Sequence, residues 1–327
     1  MGGHGYGVQM DKLRVGVVGV GYLGKFHAEK YRHMPDVDLV GVVDPDVELA
    51  RHVAKENETA YHTNHQSLFD KVDAVSIAAP TPLHFSIARD FLKKGVDVLI
   101  EKPITNLLDD ADELIRIADS KGLIIQVGHL ERFNPAVVAL NGKIDQPRFI
   151  ESHRLGIFQG RCTDVSVVLD LMIHDIDLIL YLVGSELKIV NAAGISVISE
   201  NIDIANARLE FVNGAVANVT ASRISAKNER KLRLFQKEAY LSIDFANHKI
   251  THVHPDANQS GGIIPGMAIE EQRFEKGDAL DDELKSFVQA VVHRRQPLVT
   301  GQMGRDALET ALSIMSQIQE TSQHLVS

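Results

Sequence analysis

Asp170, His174 and Asp177 stand at i, i+4 and i+7 in an otherwise apolar run, Val165 to Leu182, which has no internal proline or glycine. That spacing predicts a helix with the three side chains on one face and Asp175 pointing elsewhere. A helix that is apolar nearly all round is a buried helix. Two carboxylates and an imidazole are costly there unless they are paired or line a polar cavity. An imidazole titrates near neutrality and could accept or donate a proton, with a carboxylate holding its ring. Asp177 fits a structural role as well as a chemical one. The His174-Asp-Ile-Asp177 cluster lacks a convincing set of further ligands, so no metal is expected at this helix.

The elements that must position this stripe can be read along the chain. Leu13 to Val18, Val37 to Val43, Ala74 to Ile77, Val96 to Ile100 and Leu123 to Val127 are short buried strands. Helical patterns separate them, such as His84 to Lys94 and Asp109 to Lys121, the latter stopped by Gly122. Alternation of this kind predicts a doubly wound parallel sheet. Beyond Asn134-Pro135 the texture changes. Pro147 to Leu155, Lys188 to Ile198, Ile204 to Val212, Ala215 to Ile224, Lys231 to Phe235 and Ala239 to Phe245 alternate as strands, with Asn213-Gly214 as a turn. Runs of strands without helices between them predict an α+β domain with a largely antiparallel open sheet. Gly-rich 257–266 reads as a loop, the charges of 270–276 as solvated surface, and His62 and His65 as parts of a polar loop. Helical patterns over 280–294 and 305–323 close the chain. The expected domains are 11–128, 129–300 and a last helix over 301–327 packing back on the first domain.

The formal charge of −10 comes with no compensating basic stripe, which argues against nucleic acid as a partner. One cysteine, Cys162, cannot form an intrachain disulfide or a thiolate zinc site. Residues 1–10 have no signal-peptide core and read as a leader, with Met10 a possible native start. No apolar run reaches membrane-spanning length, so a cytoplasmic location and no membrane partner are expected. No Gly-x-Ser-x-Gly elbow supports a serine hydrolase.

Gly19-Val-Gly-Tyr-Leu-Gly24 follows the first strand directly and opens a helix. The first glycine permits a tight turn, the second lets backbone approach a pyrophosphate, and the third allows close helix–strand packing. Asp44 ends the second strand, where a carboxylate accepts hydrogen bonds from an adenosine ribose and repels a 2′-phosphate. No Arg or Lys follows it until Arg51. The expected cofactor is NAD rather than NADP, held by Gly19, Gly21, Tyr22, Leu23, Gly24 and Asp44.

Glu101-Lys-Pro103 follows the strand ending at Ile100, and Ala79-Pro-Thr-Pro-Leu-His84 follows the strand before it. Gly128-His-Leu-Glu-Arg-Phe-Asn-Pro135 lies at the crossover, and Pro297 to Gly304 near the end. Together with the Asp170/His174 helix, this ordered set resembles the Gfo/Idh/MocA family of sugar and cyclitol dehydrogenases. The resemblance implies an N-terminal Rossmann domain, and Pro80, Thr81, His84, Glu101 and Lys102 beside the dinucleotide. Pro82 and its neighbours fit turn and helix-start chemistry equally. It also implies that Lys102 reaches the nicotinamide ribose and the substrate hydroxyl, with Asp170 and His174 facing the nicotinamide. Either His174 or Lys102 would take the hydroxyl proton, and Asp170 would orient one of them.

Many members have glycine two residues after the aspartate. Here that position is Met172, which would reshape the sugar pocket. The run Val168 to Asp177, with Gly128 to Arg132, looks most like the subgroup acting on UDP-N-acetylglucosamine. Those members oxidise its 3-hydroxyl ahead of an aminotransferase in lipid A precursor synthesis. A diphosphate would need cations, and Arg132, Arg154 and Arg161 are candidates beside structural roles, with Arg154 favoured. Other sugars, cyclitols or a UDP-sugar uronate are the alternatives, as is a non-catalytic dinucleotide-binding sensor of the same fold. Retention of both Lys102 and His174 favours an enzyme. The resemblance further implies a homodimer or homotetramer through the second domain's sheet.

Overall fold

The computed structural model describes residues 12–158, 160, 165–258, 264–275 and 277–324. Residues 1–10, Arg161 and Cys162 lie outside the described residues. The chain forms two compact units. The first runs to Gly128 and takes in Leu280–Gly301, and the second holds His129–Ala279 and the chain from Gln302.

The first unit is a six-stranded parallel sheet made of β1 (Leu13–Val18), β2 (Val37–Val43), β3 (Ala60–His62), β4 (Ala74–Ile77), β5 (Asp97–Glu101) and β6 (Ile125–Gly128). The order β3-β2-β1-β4-β5-β6 reverses direction between β1 and β4. Loops diverge at such a switch point, which opens a crevice at the strands' carboxyl ends. Helices α1 (Gly24–His33), α2 (Val47–Glu56), α3 (His84–Lys93) and α4 (Leu108–Lys121) connect the strands. β1 and β4 are buried almost throughout, as strands covered on both faces must be. His62 ends β3, and His65 opens a short 3₁₀ turn with its Nε2 3.1 Å from Asp90 Oδ2. The expected polar loop is therefore partly regular structure.

The second unit holds α5 (Pro135–Val138), β7 (Phe149–Leu155), α6 (Ile173–Val183), β8 (Leu187–Ile195), β9 (Ile204–Phe211), β10 (Val216–Ser222), β11 (Glu229–Gln236), β12 (Ala239–Asp244), β13 (Lys249–Pro255) and β14 (Met267–Arg273). Its eight-stranded sheet runs β14-β13-β12-β11-β7-β10-β9-β8 and is antiparallel except for the β7–β10 pair. β13 and β14 have mixed, weakly alternating sequences that give no clear strand signal. The charged run starting at Glu270 is thus largely an edge strand, with Lys276 outside the described residues.

Two helices follow, α7 (Ala279–His293) and α8 (Gly301–His324). It is α7, not the last helix, that returns to the first unit, where Leu284, Phe287, Val288 and Val291 join the core of β1 and α1. Ala307, Ala311, Ile314 and Ile318 of α8 lie in the core of the second unit with Ile173, Ile176 and Leu209. That corrects the expected packing of the segment 301–327. Both helices are amphipathic, and amphipathicity alone does not select which core a stripe enters.

Candidate active site

In the first unit, the loops after β1 and β4 meet at the switch point. Ala78 N–H donates to Val18 O at 2.8 Å, and a Cβ on Gly19 would sit 2.6 Å from Ala79 N. Gly19 has φ +84°, which a side chain rarely tolerates. A Cβ on Gly24 would fall 1.8 Å from Gly19 O, so this glycine lets α1 start against the strand. Gly21 differs, because its added Cβ would meet nothing within 4 Å. Its backbone faces open space, with Tyr22 and Leu23 exposed beside it.

The start of α1 has no side-chain cap and no acidic residue in its first turn. At α2, by contrast, Asp46 caps the amides of Glu48 and Leu49. An uncapped helix start presents amide donors and the positive end of the dipole to an anion. Asp44 lies beside it. Its Oδ2 accepts from Val20 N and its Oδ1 from Asp46 N, each at 3.0 Å. The glycine loop, the positive end of the helix and this carboxylate suit the pyrophosphate and adenosine ribose of a dinucleotide.

Glu101 ends β5, and Lys102 follows it with a cis Lys102–Pro103 bond. Pro80 is exposed at the end of β4, and Thr81 begins a 3₁₀ turn leading into α3. His84 is buried, with Nδ1 2.9 Å from Pro103 O and Nε2 2.8 Å from Ala79 O. Burial pushes this imidazole below its ordinary pKa, against the two carbonyls and Glu101. His84 therefore sits between the loops after β4 and β5. The helix-start position was legible, but the two carbonyls come from distant loops.

Behind Glu101 lies a network that sequence reasoning missed. His27 Nε2 is 3.1 Å from Glu101 Oε1, and its Nδ1 is 3.1 Å from Ser76 Oγ, which in turn meets Tyr31 Oη at 3.0 Å. Burial alone would raise the Glu101 carboxyl. The His27 hydrogen bond and charge, then Lys102 and His84, outweigh it and hold the pKa low. Glu283 of α7 is wholly buried, and among the described residues its carboxyl oxygens find no hydrogen-bond partner. Burial, then the charge of Glu101, raises its pKa well above the carboxylate range. A signal for His27 existed, since its Gly24-Lys-Phe-His27 position puts it on the buried face of α1 with Tyr31 at i+4.

In the second unit, the predicted continuous helix begins instead with a π-helical turn, Val168–Met172, before α6. π turns concentrate at functional sites and shift the phase of a side-chain stripe. Asp170 sits in this turn and, like His174, is half-buried. Asp177 turns into the protein, where Arg132 donates Nε to Oδ2 at 2.6 Å and Nη2 to Oδ1 at 2.9 Å. The Arg132 guanidinium also lies 3.9 Å from the ring centre of Tyr181. Asp175 is buried as well. It accepts from Arg154 Nε at 2.6 Å and from Ser152 Oγ at 2.9 Å, while Arg154 Nη1 reaches Glu131 Oε1 at 3.0 Å.

Two of the three arginines proposed for a diphosphate, Arg132 and Arg154, are thus committed to buried carboxylates that fix the helix. Sequence position brought them beside it correctly, but their planar forks are occupied by Asp177, Asp175 and Glu131. Only Arg132 Nη1, buried, keeps no hydrogen-bond partner among the described residues. Met172 is fully buried among Ile173, Ile176 and Val168 in the core. Arg161 falls outside the described residues.

A parallel sheet with a glycine-rich turn at its switch point and a carboxylate after the second strand is the framework of a dinucleotide-binding protein. Residues 13–129 match the model of the oxidoreductase family with an NAD-binding Rossmann fold, and residues 136–242 match the GFO/IDH/MocA C-terminal domain. The chain belongs to this family and is an oxidoreductase that uses NAD. It is 39% identical over 306 residues to a UDP-N-acetylglucosamine 3-dehydrogenase of Acidithiobacillus ferrooxidans, covering 93% of this chain and 97% of the relative. A solved structure of that enzyme superposes with a TM-score of 0.91 at 38% identity, over 95% of this chain and 99% of the other. The NAD-dependent scyllo-inositol 2-dehydrogenase of Bacillus subtilis is 28% identical over 88% of this chain and 89% of its own. Among the described residues, no helix is long and apolar enough to cross a membrane.

Proposed function

We propose that this oxidoreductase oxidises a secondary hydroxyl of a sugar, the 3-hydroxyl of UDP-N-acetylglucosamine, to a 3-keto nucleotide sugar. The observation that carries this reading is the 39% identity to a UDP-N-acetylglucosamine 3-dehydrogenase across nearly the whole chain. When bound, the nicotinamide supplies the hydride acceptor. The chain must then hold the pyrophosphate, orient the hydroxyl and remove its proton.

Gly19, Gly21, Tyr22, Leu23 and Gly24 would cradle the pyrophosphate at α1, and Asp44 would take the ribose hydroxyls. Pro80 and Thr81 would border the dinucleotide. Lys102 would polarise the reacting oxygen, its orientation supported by the Glu101–His27 pair. His174 would accept the hydroxyl proton, with Asp170, near it on the chain, setting the ring. An exchange of roles between Lys102 and His174 gives the same products. In this reading the Asp175–Arg154 and Asp177–Arg132 pairs keep the helix bearing His174 rigid. Ile189 and Ile195 on β8 are exposed apolar residues that a homodimer or homotetramer would cover. A cytoplasmic step ahead of an aminotransferase, in lipid A precursor synthesis, fits the same substrate.

The test is NADH formation, followed by absorbance, from NAD and UDP-N-acetylglucosamine with 2-oxoglutarate and a partner aminotransferase to draw off the ketone. Inositols, free sugars and a UDP-N-acetylglucosaminuronate run in parallel. Turnover confined to the first substrate supports the reading. Activity only on another substrate replaces it with a different sugar or cyclitol dehydrogenase. NAD binding without any turnover replaces it with a sensor.

A further inference from the structure

The inner face of β12–β13 carries buried Leu241, Ile243 and Ile250, and then changes character. At the next two inward positions of β13 stand His252 and His254. Glu270 of β14 is the register partner of His252 and shares that face. One ligand atom from each of His252, His254 and Glu270 can be chosen so that all lie within 4.8 Å of one another. The two imidazoles are 4.8 Å apart between ring centres. Two histidines at i, i+2 of a strand with a carboxylate from the neighbouring strand form a convergent N,N,O donor set.

We propose that His252, His254 and Glu270 bind a borderline divalent transition-metal ion, zinc above all, which staples the edge strand β14 to β13. Zinc takes imidazole nitrogen and carboxylate oxygen at about 2.0–2.2 Å, and three protein ligands with a water make a common tetrahedral set. Small side-chain rotations would close the present spacing. The hydrogen bonds favour the right nitrogen. His254 Nδ1 donates to Pro255 O at 3.2 Å, which leaves Nε2 to point at Glu270 Oε1, 3.2 Å away. Metal-ligating histidines are oriented in this way by a carbonyl on the far nitrogen.

Burial, then His254 and Lys143, disfavour a charged His252, while Glu270, then the Pro255 carbonyl and Asp256, favour a charged His254. Glu271 pairs with Lys249 and belongs to the opposite face of the hairpin. This site is separate from the residues proposed for catalysis. The sequence reading expected no metal, and Glu270 joins the histidines only through strand pairing.

The test is calorimetric titration of the chelator-treated full chain with zinc chloride, together with hydrogen exchange of 267–273. One equivalent should bind, and His252→Ala, His254→Ala or Glu270→Gln should each weaken binding by about tenfold or more. Exchange across 267–273 should slow with zinc in the native chain and not in His254→Ala. Absence of stoichiometric binding, or unchanged affinity in His254→Ala, overturns the site. Binding without slower exchange overturns the stapling role.

Discussion

Arg132 grips Asp177 through two parallel contacts, Nε to Oδ2 at 2.6 Å and Nη2 to Oδ1 at 2.9 Å, with both side chains almost wholly buried. One partner comes from the short turn after His129 and the other from α6, so the pair joins segments far apart in sequence. Bidentate geometry uses the guanidinium as a rigid plate, and Tyr181 covers its face. The helix carrying His174 is fixed from behind by this pair and by Arg154–Asp175.

Removing one partner of such a pair leaves a buried charge. Asp177→Ala should destabilise the protein by about 3–5 kcal/mol, measured by urea unfolding. Arg132→Met with Asp177→Leu should recover most of that loss, because the uncompensated charge disappears with the pair. A single variant within about 0.5 kcal/mol of the native chain would show that the contact carries little of the fold.

The glycines of the first turn should separate folding from cofactor binding. Gly24→Ala places a methyl 1.8 Å from Gly19 O and should fold poorly. Gly21→Ala meets no protein atom within 4 Å, so its melting temperature should stay close to native. Its NAD affinity should still fall by about tenfold or more, since backbone approach to the pyrophosphate is blocked. Fluorescence titration with NADH checks this, and unchanged affinity would move the pyrophosphate away from Gly21.

Glu283 should make stability depend on pH. Its folded pKa lies well above the unfolded value of about 4.3. Above that value the folded state holds a proton that the unfolded chain has released. Stability therefore falls as pH rises from about 4.3 towards the raised pKa, by up to about 1.4 kcal/mol per pH unit. Glu283→Gln keeps the shape without the ionisation and should flatten this slope. Glu101, with its pKa held low, contributes in the opposite sense and in a lower window, losing stability as pH falls below about 4.3. Thermal melts from pH 5 upward, compared between the native chain and Glu283→Gln, read the difference. Parallel curves would place the Glu283 proton elsewhere.

On the proposed chemistry, Lys102→Met and His174→Gln should each lower turnover by about 10²–10⁴-fold while NADH still binds. Glu101→Gln should cost less, since it acts through the placement of Lys102. Native-like turnover in both Lys102→Met and His174→Gln would remove the proposed proton chemistry altogether.

Much of this architecture was local and so legible in the sequence. β1, the Gly19–Gly24 turn, α1 and Asp44 follow one another within a single β-α-β passage, and each step has its own steric or hydrogen-bonding demand. The apolar run around His174 likewise announced a buried helix. Tertiary structure decided what depends on partners brought from far away. Asp177 and Asp175 look alike in the sequence, yet Arg132 takes one and Arg154 the other, which removes both arginines from the free cations. His84 reads as a helix-start polar residue until Pro103 O and Ala79 O close on its two nitrogens. The π turn at 168–172 changes the phase that a regular helix would give, and Met172 enters the core. Periodicity and spacing encode which face is apolar. The identity of the group that meets each polar atom on that face is set only when the strands and helices have packed.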